Sequence, residues 1–233
     1  NSWVPAAGES EVQMDQQVDA VVGTLYDIPL VCRSNYVPTV RAAEDLPPHA
    51  SLDLSSPPTP DSHNPNYHEA LYMFKYEPQR GDENIERAFT FYCSDDQGIE
   101  SGEMRSVTIK TQLCRYTVKE HDTLTTMTRR YQLSTNWLNI WNANPVLFRN
   151  SAPDHVPAGT QVTVGSVYSV RRGDTVSQIA ARFSTTVKKL LQVNPHLTDP
   201  AVPANMQLEE EMHMCVLACT SDQMASMSYQ WAY

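Results

Sequence analysis

Tyr116-Thr117-Val118-Lys119-Glu120-His121-Asp122-Thr123-Leu124 returns further along the chain as Tyr168-Ser169-Val170-Arg171-Arg172-Gly173-Asp174-Thr175-Val176. The likeness continues at helical spacing, with Met127, Tyr131, Trp137 and Ile140 answered in order by Ile179, Phe183, Val187 and Leu190. An Asn-Pro pair closes each copy, at Asn144-Pro145 and Asn194-Pro195. One polar turn followed by two apolar periodic segments is a single small supersecondary unit used twice.

Each copy opens on an alternating apolar run, Tyr116/Val118 and Tyr168/Val170, the period-two signature of a short half-buried strand. Asp122 and Asp174 precede segments whose apolar residues recur three and four apart, so their carboxylates are expected to cap a first helix. In the second copy Val176, Ile179, Ala180 and Phe183 make one stripe, and Val187, Leu190 and Leu191 make another after the break at Ser184-Thr185-Thr186. In the first copy Val156-Pro157-Ala158-Gly159 leads into Gln161-Val162-Thr163-Val164, a second strand. The spacing therefore predicts β-α-α-β twice. Trp137 and Trp141 align with Val187 and Leu191, which places them in the core rather than on a sugar-stacking face, Trp137 being the more exposed.

These residues resemble the lysin-motif (LysM) family, whose pattern reads Tyr-x-Val-x-x-Gly-Asp-Thr-Leu, a helix, Asn-Pro, and a closing strand. The second copy matches at Tyr168, Val170, Gly173, Asp174 and Thr175, while the first has His121 where the family has Gly. The resemblance covers residues 115 to 217 and implies two strands packed on two helices, and recognition of N-acetylglucosamine polymers such as chitin or peptidoglycan. By position it places the binding groove at Gly173, Asp174, Thr175, Val176, Asn194, Pro195 and His196, and in the first copy at Asp122, Thr123, Leu124, Asn144, Pro145 and Val146. Asp, Thr and Asn-Pro also cap and end helices whether or not a sugar binds. His121 and the longer loop carrying Phe148 rank the second copy ahead as the binder.

Composition narrows the partners. The 233 residues are 41% hydrophobic, enough for two or three modest cores. A formal net charge of −10, with no local Lys/Arg cluster, opposes binding to nucleic acid or anionic membranes. Apolar runs such as Ala20-Val21-Val22 are interrupted far short of the ~20 residues that span a bilayer. The chain begins at Asn1, as a processed product or fragment would.

Before residue 115 the text reads as β: Val18 to Gly23, Leu25 to Cys32, Glu69 to Tyr76, Ala88 to Cys93 and Arg105 to Lys110, separated by turn signals such as Ser94-Asp95-Asp96-Gln97-Gly98. Strands at this spacing without intervening helices indicate an antiparallel sandwich, and the segment resembles an immunoglobulin or cadherin-like module. The fold class is thus α+β multidomain, an N-terminal antiparallel β-sandwich followed by two βααβ LysM modules. Its expected domains are an extended arm at 1–18, the sandwich at 19–113 with a Pro-rich loop at 46–66, repeats at 114–166 and 167–219, and a tail at 220–233. Cys32 and Cys93 lie where a disulfide staples one sheet to the other, and Cys114 is expected to join Cys215 or Cys219.

Several short motifs have plain explanations. Arg80-Gly81-Asp82 reads as a turn rather than an integrin ligand, Asp95 and Asp96 as a turn rather than a calcium site, and His63 and His68 as loop residues. No metal or cofactor is expected. Ser55-Ser56-Pro57-Pro58-Thr59-Pro60 excludes helix and central strand. It also has the composition of an O-glycosylated stalk, with acceptors at Ser55, Ser56 or Thr59, or at hydroxylated Pro57, Pro58 or Pro60, while no Asn-x-Ser/Thr acceptor occurs.

There is no nucleophile elbow, zinc-protease helix or phosphate-cradling glycine run, so no enzyme is expected. Two functions remain. One is an extracellular structural subunit of a surface filament or matrix, assembled with copies of itself through the 1–18 arm and the LysM modules. The other is a lectin for N-acetylglucosamine polymers.

Overall fold

The computed structural model describes residues 2–6, 11–61, 65–130, 137–148, 155–197 and 205–216. The chain is β-rich, with several separate sheets and a few short helices, and divides into two compact units.

The first unit holds Asn1–Ala20, Leu25–Pro78 and Glu86–Lys110. Its strands are β1 (Ser2–Val4), β2 (Asp15–Ala20), β3 (Tyr26–Ser34), β4 (Pro38–Ala42), β5 (Ala50–Pro60), β6 (His68–Tyr76), β7 (Glu86–Asp95) and β8 (Glu100–Thr111). They form two four-stranded sheets, ordered β1-β3-β6-β5 and β2-β8-β7-β4. Alternation decides which side chains go inward. Ile28, Leu30 and Cys32 of β3, Phe89, Phe91 and Cys93 of β7, and Val107 and Ile109 of β8 are buried at every second position and share one core with Phe74 and Tyr76 of β6. Phe74 packs tilted against Phe89 and Phe91, at 4.8 and 4.9 Å between centroids. The disulfide Cys32–Cys93 joins β3 of one sheet to β7 of the other.

The extended arm expected to join copies of the chain has its first described residues paired within its own chain. Ser2, Trp3 and Val4 pair antiparallel with Arg33, Cys32 and Val31, Trp3 is only 7% exposed, and its indole Nε1 donates to the Glu103 carbonyl at 3.1 Å. Residues 15–20 form an edge strand beside β8. Burying an indole with a partner for its N–H is the physical reason this polar segment docks on its own chain. β4 and β5 were likewise not recognised as strands from sequence. β5 carries the Pro-rich run and sits at a sheet edge, the place where missing N–H donors are tolerated.

The second unit holds Val21–Thr24, Gln79–Ile85 and the chain from Thr111 onward. The first copy supplies β9 (Arg115–Thr117), α1 (Leu124–Arg130), α2 (Leu138–Ala143) and β10 (Gln161–Thr163). The second supplies β11 (Ser166–Ser169), α3 (Val176–Arg182), α4 (Val187–Val193), a 3-10 turn at Pro195–Leu197 and β12 (His213–Val216). β9 pairs antiparallel with β10, and β11 with β12. Tyr116, Val118, Leu124, Met127, Ile140 and Val162 form one core, and Tyr168, Val170, Val176, Ile179, Leu190 and Met214 the equivalent other.

The copies are fused. Val193 and Cys215 of the second belong to the core of the first, and Cys215 is disulfide-bonded to Cys114. Gly165, in the short link between β10 and β11, is where the chain passes closest: a Cβ there would lie 2.5 Å from the Val216 carbonyl oxygen. Val22 joins the same core, and its carbonyl accepts from Thr117 N at 3.2 Å.

The Arg80-Gly81-Asp82 turn is engaged within this unit. Arg80 donates to the Gln192 carbonyl near the end of α4 and pairs with Glu83, whose carboxylate accepts from Gly81 N at 2.6 Å, while Asp82 accepts from Gln79 N at 2.8 Å. Burial raises the Glu83 carboxyl above its ordinary value.

Trp3→Ala is expected to lower the stability of the first unit by about 3 kcal/mol, the usual cost of deleting a buried aromatic, as measured by urea unfolding. An unchanged midpoint would show that the strand pairing contributes nothing.

Candidate functional site

The turn after the first strand of each copy is organised around its aspartate. Asp122 accepts from the Tyr116 hydroxyl at 2.7 Å and from Lys119 N at 2.9 Å. Asp174 does the same with Tyr168 at 2.5 Å and Arg171 N at 3.1 Å, and is further held by Arg182, whose Nη2 lies 2.9 Å away. Arg182 also donates to the Tyr168 hydroxyl and lies over its ring. Burial alone would push the Asp174 carboxyl up, but the Arg182 and Tyr168 hydrogen bonds, the Arg171 amide and the Arg182 charge hold it below its ordinary value. Tyr168 is pushed up, first by burial and then by its bond to that carboxylate.

This corrects the capping role expected for the two aspartates. The N-cap of α3 is Thr175, whose hydroxyl accepts from Gln178 N at 3.2 Å while Gln178 Oε1 accepts from Thr175 N at 3.0 Å. Thr123 and Thr126 exchange the same pair of bonds at α1. The signal was in the sequence, since Thr175-x-x-Gln178 is a capping box. The aspartates brace the preceding turn, which closes in a left-handed residue: Gly173 at φ 86° and His121 at φ 65°. An imidazole is thus accommodated where glycine would be unstrained.

The two asparagines are equally occupied. Asn144 donates to the Ile140 and Thr163 carbonyls, both at 2.7 Å, and accepts from Thr163 N at 2.8 Å. Asn194 donates to Leu190 and Cys215 carbonyls at 2.8 and 2.7 Å and accepts from Cys215 N at 2.6 Å. Leu124 and Val176 are core residues with no exposed surface to offer.

Of the candidate groove residues, those that retain exposure are Gly173, Thr175, Pro195 and His196 in the second copy, and Thr123, Pro145 and Val146 in the first. No atom comes within 4 Å of where a Cβ on Gly173 would stand. His196 is half-buried, with both ring nitrogens withdrawn from solvent and the His213 backbone beside the ring. Burial holds its pKa below the ordinary value, with the His213 backbone working weakly the other way. Trp137 and Trp141 are both half-buried against the first core, Trp141 stacking on the buried Phe148 at 5.0 Å, so the long loop contributes a core residue.

The remaining candidates sit elsewhere. Ser55, Ser56, Pro57, Pro58, Thr59 and Pro60 occupy the last half of β5. Cys219 and His63 lie outside the described residues. Among the described residues, no group of three or more His, Cys, Asp or Glu is gathered to hold a metal.

A family model described as LysM domain matches residues 116–165 and 168–209. Both segments are LysM domains. The chain is also similar to the endolysin of Bacillus phage PZA, 31% identical over 90 residues that cover 37% of this chain and 33% of the relative. A second endolysin, from Bacillus phage B103, is 26% identical over 114 residues, covering 46% and 41%. This chain therefore spans a third to two fifths of the length of those relatives. Among solved structures, the sialic acid binding region of a Streptococcus sanguinis adhesin is similar at 15% identity and a TM-score of 0.31, over 63% of this chain and 41% of that one. The BIgI domain of beta protein from S. agalactiae is similar at 13% identity and 0.24, over 42% and 91%. Scores this low carry no argument about fold or ligand.

Two substitutions separate structural from binding roles in the second LysM. Asp174→Asn is expected to cost about 2 kcal/mol at neutral pH through weakened turn hydrogen bonds, the half-solvated ion pair adding little. Because the folded carboxyl titrates below its unfolded value of about 3.9, its contribution is present above that pH and fades as pH falls through the folded value. Acid unfolding of the variant, followed by circular dichroism, should accordingly be shallower below about pH 4. Asn194→Ala leaves the Cys215 amide and carbonyl without that partner and should cost about 2–3 kcal/mol in urea unfolding.

Proposed function

We propose that this chain is a non-enzymatic extracellular carbohydrate-binding protein, built as an immunoglobulin-type β-sandwich followed by two βααβ LysM modules, and that the second module binds N-acetylglucosamine polymers. The observation that carries the reading is what the second LysM leaves uncommitted. Its Asp and Asn side chains are spent on the fold, while the open backbone at Gly173 and the part-exposed Thr175 and Pro195 remain. In sugar-binding members of the LysM family, the loops at the corresponding positions line one shallow groove, which supports this reading. A neutral sugar polymer suits such a groove, since exposed backbone groups can meet hydroxyl and acetamide groups without a charge. The protein's net charge of −10 is no obstacle to a neutral ligand.

Two disulfides support an oxidising, extracellular setting, and no helix among the described residues is long and apolar enough to cross a membrane. The similarity to two phage endolysins supports peptidoglycan as the first polymer to test.

In the building-block reading copies join through residues 1–18, of which Ser2–Val4 pair with β3 of their own chain. What still favours it is that the sheet order leaves β1, β5, β2 and β4 at edges, where strands of another copy could add. Regular assemblies in light scattering without sugar would restore it.

Titration of the protein with a chitin oligomer, and sedimentation with peptidoglycan, tests the binding reading. Gly173→His, the residue type the first copy carries at the equivalent place, is expected to weaken oligomer binding about tenfold, ~1.4 kcal/mol, at a cost of about 1 kcal/mol in urea unfolding. Absence of binding to both polymers by the unmodified chain would sink the proposal.

A further inference from the structure

β5 changes character half-way along. Ala50 and Leu52 pack against the core of the first unit and pair with Tyr76 and Phe74 of β6. Beyond them the strand leaves the core: Asp53, Leu54, Ser55, Pro57, Thr59 and Pro60 are exposed, and Ser56 and Pro58 are half-buried. Its register with β6 slips twice. Ser55 is passed over between the pairs Leu54↔Tyr72 and Ser56↔Leu71, and Pro57 and Pro58 are passed over before Thr59↔Glu69.

Holding this segment extended costs conformational entropy that no buried side chain offsets, and the three prolines reduce that cost by stiffening the chain beforehand. Its hydroxyls are also idle. Thr123, Thr175 and Thr186 each accept from a helix amide, whereas the hydroxyls of Ser55, Ser56 and Thr59 make no hydrogen bond among the described residues. Serine and threonine side chains commonly bond back to nearby backbone, so three idle hydroxyls in six residues are a feature of the site. An extended, exposed strand edge with free hydroxyls beside proline is the form in which a glycosyltransferase can take up an acceptor peptide. The two disulfides indicate passage through the oxidising compartment where secreted proteins meet such enzymes.

We propose that Ser55 and Thr59 carry O-linked sugars. In the transfer, the hydroxyl oxygen bonds to the anomeric carbon of a nucleoside-diphosphate sugar. The sugar–phosphate bond breaks, the nucleoside diphosphate departs, the hydroxyl proton passes to a base of the transferase, and nothing is oxidised or reduced. Ser56, half-buried, is excluded. The sugars cover the outer side of β5, where the prolines already remove donors, and together they close that edge to pairing with another chain.

The proposal is independent of any sugar bound by the LysM domains, and mass spectrometry of the natively produced protein tests it. The proteolytic peptide containing Ser55–Pro60 should be heavier than its sequence requires. The excess on the peptide containing Ser55–Pro60 should vanish on alkaline β-elimination, with fragmentation placing it at Ser55 and Thr59. An unmodified peptide overturns the proposal. Alkali-stable sugar on Pro57, Pro58 or Pro60 overturns the assignment to serine and threonine, and sugar on Ser56 overturns the exposure argument.

Discussion

The side-chain amide of Asn194 holds the second unit together. It joins the last turn of α4, through Leu190, to both backbone groups of Cys215 on β12. Because Asn194 is fully buried, these bonds are made where water cannot replace them, and losing one leaves an unpaired group in the core. Cys215 in turn is the residue linked to Cys114, just ahead of β9. The asparagine therefore sets the position of the strand that fuses one LysM to the other.

Asn144 makes the equivalent bonds in the first copy, to Ile140 and Thr163. In both copies the groups most suggestive of chemistry, the aspartates and asparagines, serve the fold. On the proposed reading, the weight of recognition shifts from charged side chains to exposed backbone. The change is one of kind: a groove of the proposed type would select by shape and by neutral hydrogen bonding.

How much of this was legible in the sequence depended on whether a residue's role follows from its local pattern. The repeat was, because Tyr-x-Val, Asp-Thr and Asn-Pro recur with the same apolar spacing and every element they imply is local. The place of Asp174 was legible and its role was not, since a carboxylate before a helix can brace the turn behind it or cap the helix ahead. Only the Thr175 and Gln178 pairing discriminates. β1 was hidden because three residues show no periodicity, and burial of Trp3 depends on strands that lie far along the chain. β5 was half-legible: proline density ruled out a central strand, but its pairing with β6 is non-local. The link between the copies was partly visible in Cys114, whereas the need for Gly165 follows only from the approach of Val216.

The disulfide between Cys114 and Cys215 spans 101 residues and encloses almost all of both LysM domains. For a chain pulled from points outside that loop, tension passes through the sulfur bridge and bypasses everything enclosed. The LysM half of the protein thus lies off the load path. It can neither be stretched open nor contribute slack, and force along the backbone reaches the surrounding segments first.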